Sequence, residues 1–362
     1  MENALISPDP PANHAPTSAD PRALAEAWAA LREAEPRLRI RDAAARLGVS
    51  EAALRATECG GAVLRLVDDW RGILCRLPLL GEVMALTRNE AAVHEKTGEY
   101  VAPEFGGGHG LVLGAAIDLR LFLRQWAFGF AHVEAERTSL HFFDAHGDAV
   151  HKIYTRDGTD LDELRKLINI YADEPKTAVA TTPRPARGRP RADAEIDADG
   201  LRRAWLGMQD THEFFAILRA HGAARVQALR LAPPGYARRV DPASLDVALY
   251  GAAATALPIM VFVGNPGCIQ IHTGQVARIV PMGPWINVLD PAFNLHLRRD
   301  RIDQAWVVRK PTADGIVTSL ELYDADGDAI AYVFGERKPG RPELASWRQL
   351  TESFSDLADG EA

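Results

Sequence analysis

Of the eleven histidines, His212 has the setting best suited to chemistry. In Trp205-Leu-Gly-Met-Gln-Asp210-Thr-His212-Glu213-Phe-Phe215, Asp210 and Glu213 form a capping pair, which puts His212 in the first turn of a helix whose next residues are aromatic. An imidazole projecting from a helix start beside apolar surface suits axial ligation of a metal in a large flat macrocycle. The same setting also suits an ordinary surface or packing residue, and residue physics alone leaves both open. No HExxH and no zinc-like histidine spacing occurs. Cys59, Cys75 and Cys268 are odd in number and lack CxxC spacing, so neither a disulfide framework nor a cysteine zinc site is expected, and the thiols should be reduced.

Other motifs point to rival chemistries. IRDAAARLGVSEAAL (40–54) has helix-turn-helix spacing, with Ser50 capping the second helix. That second helix, EAALRATE, carries one arginine and two glutamates, too little positive charge to hold phosphates, so packed helices are expected. Ala186-Arg187-Gly188-Arg189-Pro190 matches the short core of an AT-hook, with a solvated linker as the plainer reading. Phe105-Gly-Gly-Gly-His-Gly110 lacks the Lys-Ser/Thr of a phosphate loop and reads as a hairpin loop. Asp144, Asp148, Asp324, Asp326 and Asp328 have the charge for a cation but sit in Asp/Gly turns without an EF-hand glutamate.

The elements that position these residues are built twice. TRNEAAVHEKTG (87–98) lines up with VGNPGCIQIHTG (263–274) at a shift of 176, and FFDAHGDAV (142–150) with LYDADGDAI (322–330) at 180. The boundaries follow as a disordered leader over 1–21, an N-terminal repeat over 22–175, a Pro/Arg-rich linker over 176–199 and a C-terminal repeat over 200–362. Helical periodicity marks 23–35, 40–57, 201–208, 212–222, 160–172 and 343–357. Segments 63–67, 72–77, 82–86, 226–232, 246–251 and 258–264 read as short strands, and the Asp/Gly turns at 144–148 and 324–328 as hairpins. Strands joined by turns predict an α+β fold, each copy a large antiparallel sheet flanked by N-terminal and C-terminal helices.

A length of 362 residues suits about two domains of roughly 150. The net charge of −8 argues against a surface built to coat nucleic acid or anionic lipid. No run approaches the ~20 apolar residues of a membrane span, and the N-terminus lacks a secretory pattern, so a cytoplasmic protein without an integral membrane segment is expected.

With the duplication, several blocks resemble the hemin-degrading factor family, the cytoplasmic HemS/HmuS-type proteins of bacterial haem uptake. They are TRNEAAVHEKTG, IDLRLFLRQWAFGF (117–130), DTHEFFAILRAHGAARVQALRLA (210–232), GCIQIHTG (267–274), PMGPWINVLDPAFNLHLR (281–298) and YVFGERKPG (332–340). The resemblance implies one non-covalent haem b beside the C-terminal copy, with His212 as the axial iron ligand. It places Arg120 on the distal face as the catalytic group and Phe122 and Phe262 along the apolar pocket. Arg225, Lys310 and Arg337 fall where basic contacts to the propionates or pocket rim are implied. Tyr332 and Phe334 stand where more polar residues are expected in the family. By the internal shift His94 matches Gln270, which makes His94 a candidate ligand for a second haem in the N-terminal copy.

The implied activity is reductive haem breakdown with release of iron, fed by ascorbate or a reductase, because no flavin or nicotinamide motif occurs. The rival is a haem carrier that delivers to a separate haem oxygenase, with a haem ABC transporter as a further partner. A DNA-binding regulator acting through Arg187 and Arg189 is the remote alternative.

Overall fold

The computed structural model describes residues 20–134, 137–338 and 340–357. In chain order the elements are α1 (Pro21–Ala34), α2 (Ile40–Arg46), α3 (Glu51–Ala56), β1 (Val63–Leu66), α4 (Trp70–Arg76), β2 (Gly81–Arg88), β3 (Ala92–Glu99), β4 (Glu104–Gly106), β5 (His109–Leu113), β6 (Asp118–Leu121), β7 (Trp126–Val133), β8 (Thr138–Asp144), β9 (Ala149–Thr159) and α5 (Leu161–Tyr171). They continue as α6 (Ala198–Leu206), α7 (Glu213–His221), α8 (Arg225–Arg230), β10 (Ala237–Val240), α9 (Ser244–Thr255), β11 (Ile259–Asn265), β12 (Cys268–Gly274), β13 (Ile279–Met282), β14 (Trp285–Asp290), β15 (Phe293–Arg298), β16 (Gln304–Thr312), β17 (Gly315–Tyr323), β18 (Ala329–Gly335) and α10 (Ala345–Glu352). Strand pairing is antiparallel and helices flank the sheets, as the α+β expectation requires.

Two compact units result, and they do not follow sequence order. The first holds the described residues up to Thr87, then 97–186 and 265–268; the second holds 88–96, 187–264 and the described residues from Ile269 on. In the first, strands run in the order β1-β7-β8-β9-β2, with β4, β5 and β6 as a meander. Its core gathers Trp70, Trp126, Phe142 and Leu167, and a smaller cluster of Leu24, Trp28 and Leu54 packs α1 to α3. In the second, strands run β10-β16-β17-β18-β11-β12 and β3-β15-β14-β13. One core there holds Leu249, Val261, Leu320 and Trp347, and another, under α6 to α8, holds Trp205, Phe214 and Tyr323.

The matched asparagines close matching turns. Asn89 donates to the carbonyls of Gly264 and Ile330 and accepts from the Ala91 and Ala92 amides, all within the second unit. Asn265 donates to the Val150 carbonyl and accepts from the Gly267 and Cys268 amides within the first. The Asp/Gly hairpins are likewise built alike: Asp144 accepts from the amides of His146 and Asp148, and Asp324 from those of Asp326 and Asp328. Gly147 and Gly327 supply the positive φ these turns need, 84° and 79°.

Three segments read as strands are helices. Residues 72–77 fall in α4, where Asp69 caps by accepting the Gly72 amide. Residues 226–232 fall mainly in α8 and 246–251 in α9, whose Leu245, Ala248, Leu249 and Ala252 recur at helical spacing. A six-residue window on so apolar a helix hides the period, which emerges only over all of α9.

The linker is tied down. Thr182 and Arg184 bind the first unit's hairpin turn at Ala145 and Asp148, while Arg187 pairs with Asp328 in the second. Most of the leader over 1–21 lies outside the described residues; its last member, Pro21, opens α1 under an Asp20 cap. No helix among the described residues is long and apolar enough to cross a membrane. All three cysteines are free, Cys59 and Cys268 buried and Cys75 exposed.

Several histidines are held neutral inside. Burial lowers His151 and His272 to about 3 and pushes His94 and His141 well below the usual value. Such groups take up protons on unfolding but not when folded, so they add stability above about pH 6.5 that is lost as pH falls toward 3. Each contributes a slope of up to about 1.4 kcal/mol per pH unit in that window. Urea midpoints are therefore expected to fall steeply between pH 7 and 5, and His151→Gln is expected to flatten the curve. An equally steep curve in that variant would remove His151 from the account.

Candidate functional site

His212 stands at the start of α7. Phe214, buried against Trp205 with ring centroids 4.5 Å apart, anchors the helix, and Gly222 ends it in a left-handed turn. The His212 side chain is 89% exposed. Asp210 accepts both its backbone N–H at 2.8 Å and its ring at Nδ1 at 2.6 Å, while the Glu213 carboxylate accepts the Gln209 amide. The backbone N–H of His212 is the main cause that lowers Asp210 below the usual carboxylate range. An ionised carboxylate only accepts, so Nδ1 carries the proton and the Nε2 lone pair is left for a metal, the arrangement that a carboxylate hydrogen-bonded to the far ring nitrogen imposes on metal-binding histidines.

Behind α7 lies a buried charge network. Glu321 on β17 has no exposed surface, and Arg225 at the first position of α8 binds it through Nε and Nη2 at 2.9–3.0 Å. Lys310 on β16 and the hydroxyls of Ser319 and Tyr323 complete its shell. Burial works against the charge of Glu321; Arg225 first and Lys310 next outweigh it and hold the carboxyl well below the usual range. Burial lowers Lys310 to about 8. Phe262 on β11 meets Phe334 edge-on at 5.0 Å, and Tyr332 lies under the Arg225 guanidinium at 4.6 Å. Arg337 is half-buried, its Nε without a partner among the described residues, and its charge helps to hold Asp210 down.

Comparisons with known proteins fit this geometry. The sequence model of the Haemin-degrading HemS.ChuX domain matches twice, over residues 48–171 and 222–354. The chain belongs to this haemin-degrading family. It is 41% identical over 317 residues to the hemin transport protein HmuS of Yersinia pestis, covering 85% of this chain and 90% of that one. It is similar to holo-PhuS, a heme-binding protein from Pseudomonas aeruginosa, with 46% identity, a TM-score of 0.91 and coverage of 94% and 100% of the two chains. Its likeness to the heme degrading enzyme ChuS of Escherichia coli O157:H7 is 38% identity and a TM-score of 0.86, over 92% and 99% of the chains.

Within this HemS-type chain, His212, Arg225, Phe262, Lys310 and Arg337 belong to the second unit and Arg120 and Phe122 to the first. Arg120, 30% exposed on β6, pairs through Nη1 with Asp118, whose pKa burial raises against the arginine's pull. Phe122 is half-buried, and its amide donates to the Gly267 carbonyl. Lys310 departs from expectation: it is enclosed and spent on Glu321 instead of lining a rim. His94 is corrected too. Its strand, β3, enters the second unit, and the ring is fully buried 4.9 Å from Phe293, which leaves no opening for a macrocycle.

The rival motifs find structural roles. Glu51, Ala52, Leu54, Arg55 and Ala56 of α3 are buried, so that helix has no face for a DNA groove, and Ser50 caps it as expected. Arg187 of the AT-hook match is paired with Asp328. Residues 105–110 make the tight β4–β5 hairpin, and no metal-holding group of His, Cys, Asp or Glu occurs among the described residues. Glu321 and the orienting role of Asp210 were missed from sequence. The available signal was an acid inside the apolar run Ser319-Leu-Glu321-Leu-Tyr323.

Asp210→Ala is expected to shift His212 from the Nδ1–H tautomer toward Nε2–H, read from the ring nitrogens' NMR shifts. An unchanged tautomer would show that the carboxylate does not orient the ring.

Proposed function

We propose that this chain takes one haem on His212 and opens it reductively, releasing iron with electrons from an external donor. The observation that carries the reading is an exposed imidazole whose Nδ1 is fixed by Asp210 and whose Nε2 is free. Haem is the substrate and brings the redox chemistry; the protein supplies a ligand, a hydrogen-bonding guanidinium and apolar walls. Phe262 and Phe334 give apolar surface in the unit that carries His212, and Arg225 and Arg337 give cations for the propionates. Arg120 is the catalytic donor in this reading, as the family resemblance implies, its guanidinium paired with Asp118 through one nitrogen. Likeness to a protein described as a heme degrading enzyme supports it.

A second reading, a cytoplasmic carrier that accepts haem from a transporter and passes it to a separate oxygenase, draws on the openness of the same imidazole. Likeness to a protein named for hemin transport supports that one.

Hemin titration in the Soret band on wild type and His212→Ala tests both. One-to-one binding that His212→Ala weakens at least about tenfold is expected, an iron–imidazole bond being worth more than one hydrogen bond. Ascorbate with catalase added to the wild-type complex then separates the readings. Decay to a bilin with stoichiometric iron supports breakdown; a stable complex that gives up its haem supports the carrier. Binding indifferent to His212 overturns both. Arg120→Ala is expected to keep hemin affinity while slowing ring opening by about a hundredfold, the usual range for loss of one preorganised donor, and unchanged turnover would deny it the role.

A further inference from the structure

Arg225 and Lys310 both turn toward Glu321, but not in the same way. Lys310 is 5% exposed, its ammonium enclosed between the carboxylate and the Phe214 ring, 4.8 Å from the centroid. Arg225 is 26% exposed. Its Nε takes Glu321 and the Tyr323 hydroxyl, at 3.0 and 2.8 Å, and its Nη2 takes both Glu321 oxygens. The guanidinium also lies over Tyr332 and Phe214, 4.6 and 5.2 Å from their centroids. Nη1 makes no hydrogen bond within the described residues. A planar guanidinium with one edge tied and aromatic rings against it has one corner left, and the tied edge fixes where that corner points.

We propose that Glu321 is a positioning residue for recognition of one acid group on the ligand: it keeps Lys310 inside as a counter-charge and fixes Arg225 so that Nη1 meets the acid. The proposal rests on the haem reading, in which that acid is a propionate. Tyr332, standing where a more polar residue was expected, then has its reason as the platform under Arg225.

The test compares affinity for hemin with affinity for hemin dimethyl ester, which lacks both acids, and reads the ratio. Wild type should prefer hemin by about tenfold, the scale of one charge-assisted hydrogen bond. Lys310→Met should keep that preference. Arg225→Met should remove most of it, and so should the double variant Glu321→Gln/Lys310→Met, which leaves net charge unchanged but unties Arg225. Arg225→Lys, which keeps the charge without the planar edge, should lose it as well and serves if the double variant does not fold. Loss of the preference in Lys310→Met would mean that the lysine itself meets the acid and would overturn the proposal. Retention in the double variant or in Arg225→Lys would overturn it too, as would a wild type that binds both porphyrins equally. Absence of His212-dependent binding of either porphyrin overturns the haem reading and this proposal with it.

Discussion

A carboxylate with no contact with water must be matched, and much of the second unit follows from matching Glu321. Desolvating an isolated ion costs several kcal/mol, and removing one partner from a buried pair is strongly destabilising. Glu321 sits mid-strand on β17, and its partners come from β16, from β17 itself and from the first residue of α8. Sheet and helix are thereby joined by charge as well as by the apolar cluster of Trp205, Phe214 and Tyr323. Arg225 and Lys310 both lie over the ring of Phe214, so the same network reaches α7. His212 inherits its position from that anchor two residues on.

The first unit meets the same architectural demand with the charges reversed. Its α3 begins with Glu51 where α8 begins with Arg225, and Glu51 is buried in a pair with Lys152 of β9. The strand partners differ: by the register, Lys152 on β9 matches Tyr332 on β18, and Glu321 on β17 matches His141 on β8. The duplicated scaffold has kept a buried ion pair at the start of this helix, with its polarity exchanged and its strand partner moved to the neighbouring strand. In the first unit no corner of a guanidinium is left over from this pairing, since the cation is a lysine 9% exposed. The equivalent of His212 falls near Leu38, just before α2. The second unit, by contrast, combines the open His212 imidazole with the part-exposed Arg225.

How much of this was legible in the sequence depended on whether the signal was local. Caps are local, so Ser50 was readable, and the Asp/Gly turns were as well; the Asp210–Glu213 pair was readable in place but not in partners, since Asp210 binds His212 and Glu213 accepts the Gln209 amide. The duplication was readable because the turn asparagines, Asn89 and Asn265, do the same work in both copies. The partner of Glu321 was not readable, because nothing in the strand shows that Arg225, 96 positions earlier, will meet it. Lys310 was misplaced for the same reason: a basic residue matches a basic position, but which way it turns is decided by a carboxylate on the neighbouring strand. The membership of β3 in the second unit was hidden too, since strand pairing with β15 is a long-range choice that local periodicity does not carry.

The contrast between the base of the site and its tip carries a last step. Below α7 the groups are buried, aromatic and ion-paired, the kind of packing that holds one arrangement. At its tip the imidazole is held by one carboxylate and is otherwise open, with Phe215 also 67% exposed in the same turn. Apolar surface beside an open ligand favours a flat apolar partner from solution, because burying Phe215 adds to the ligand bond about 25 cal/mol per Å² of apolar area. A base packed in this way loses little ordering entropy when such a partner arrives, so most of the binding free energy comes from the contacts at the tip.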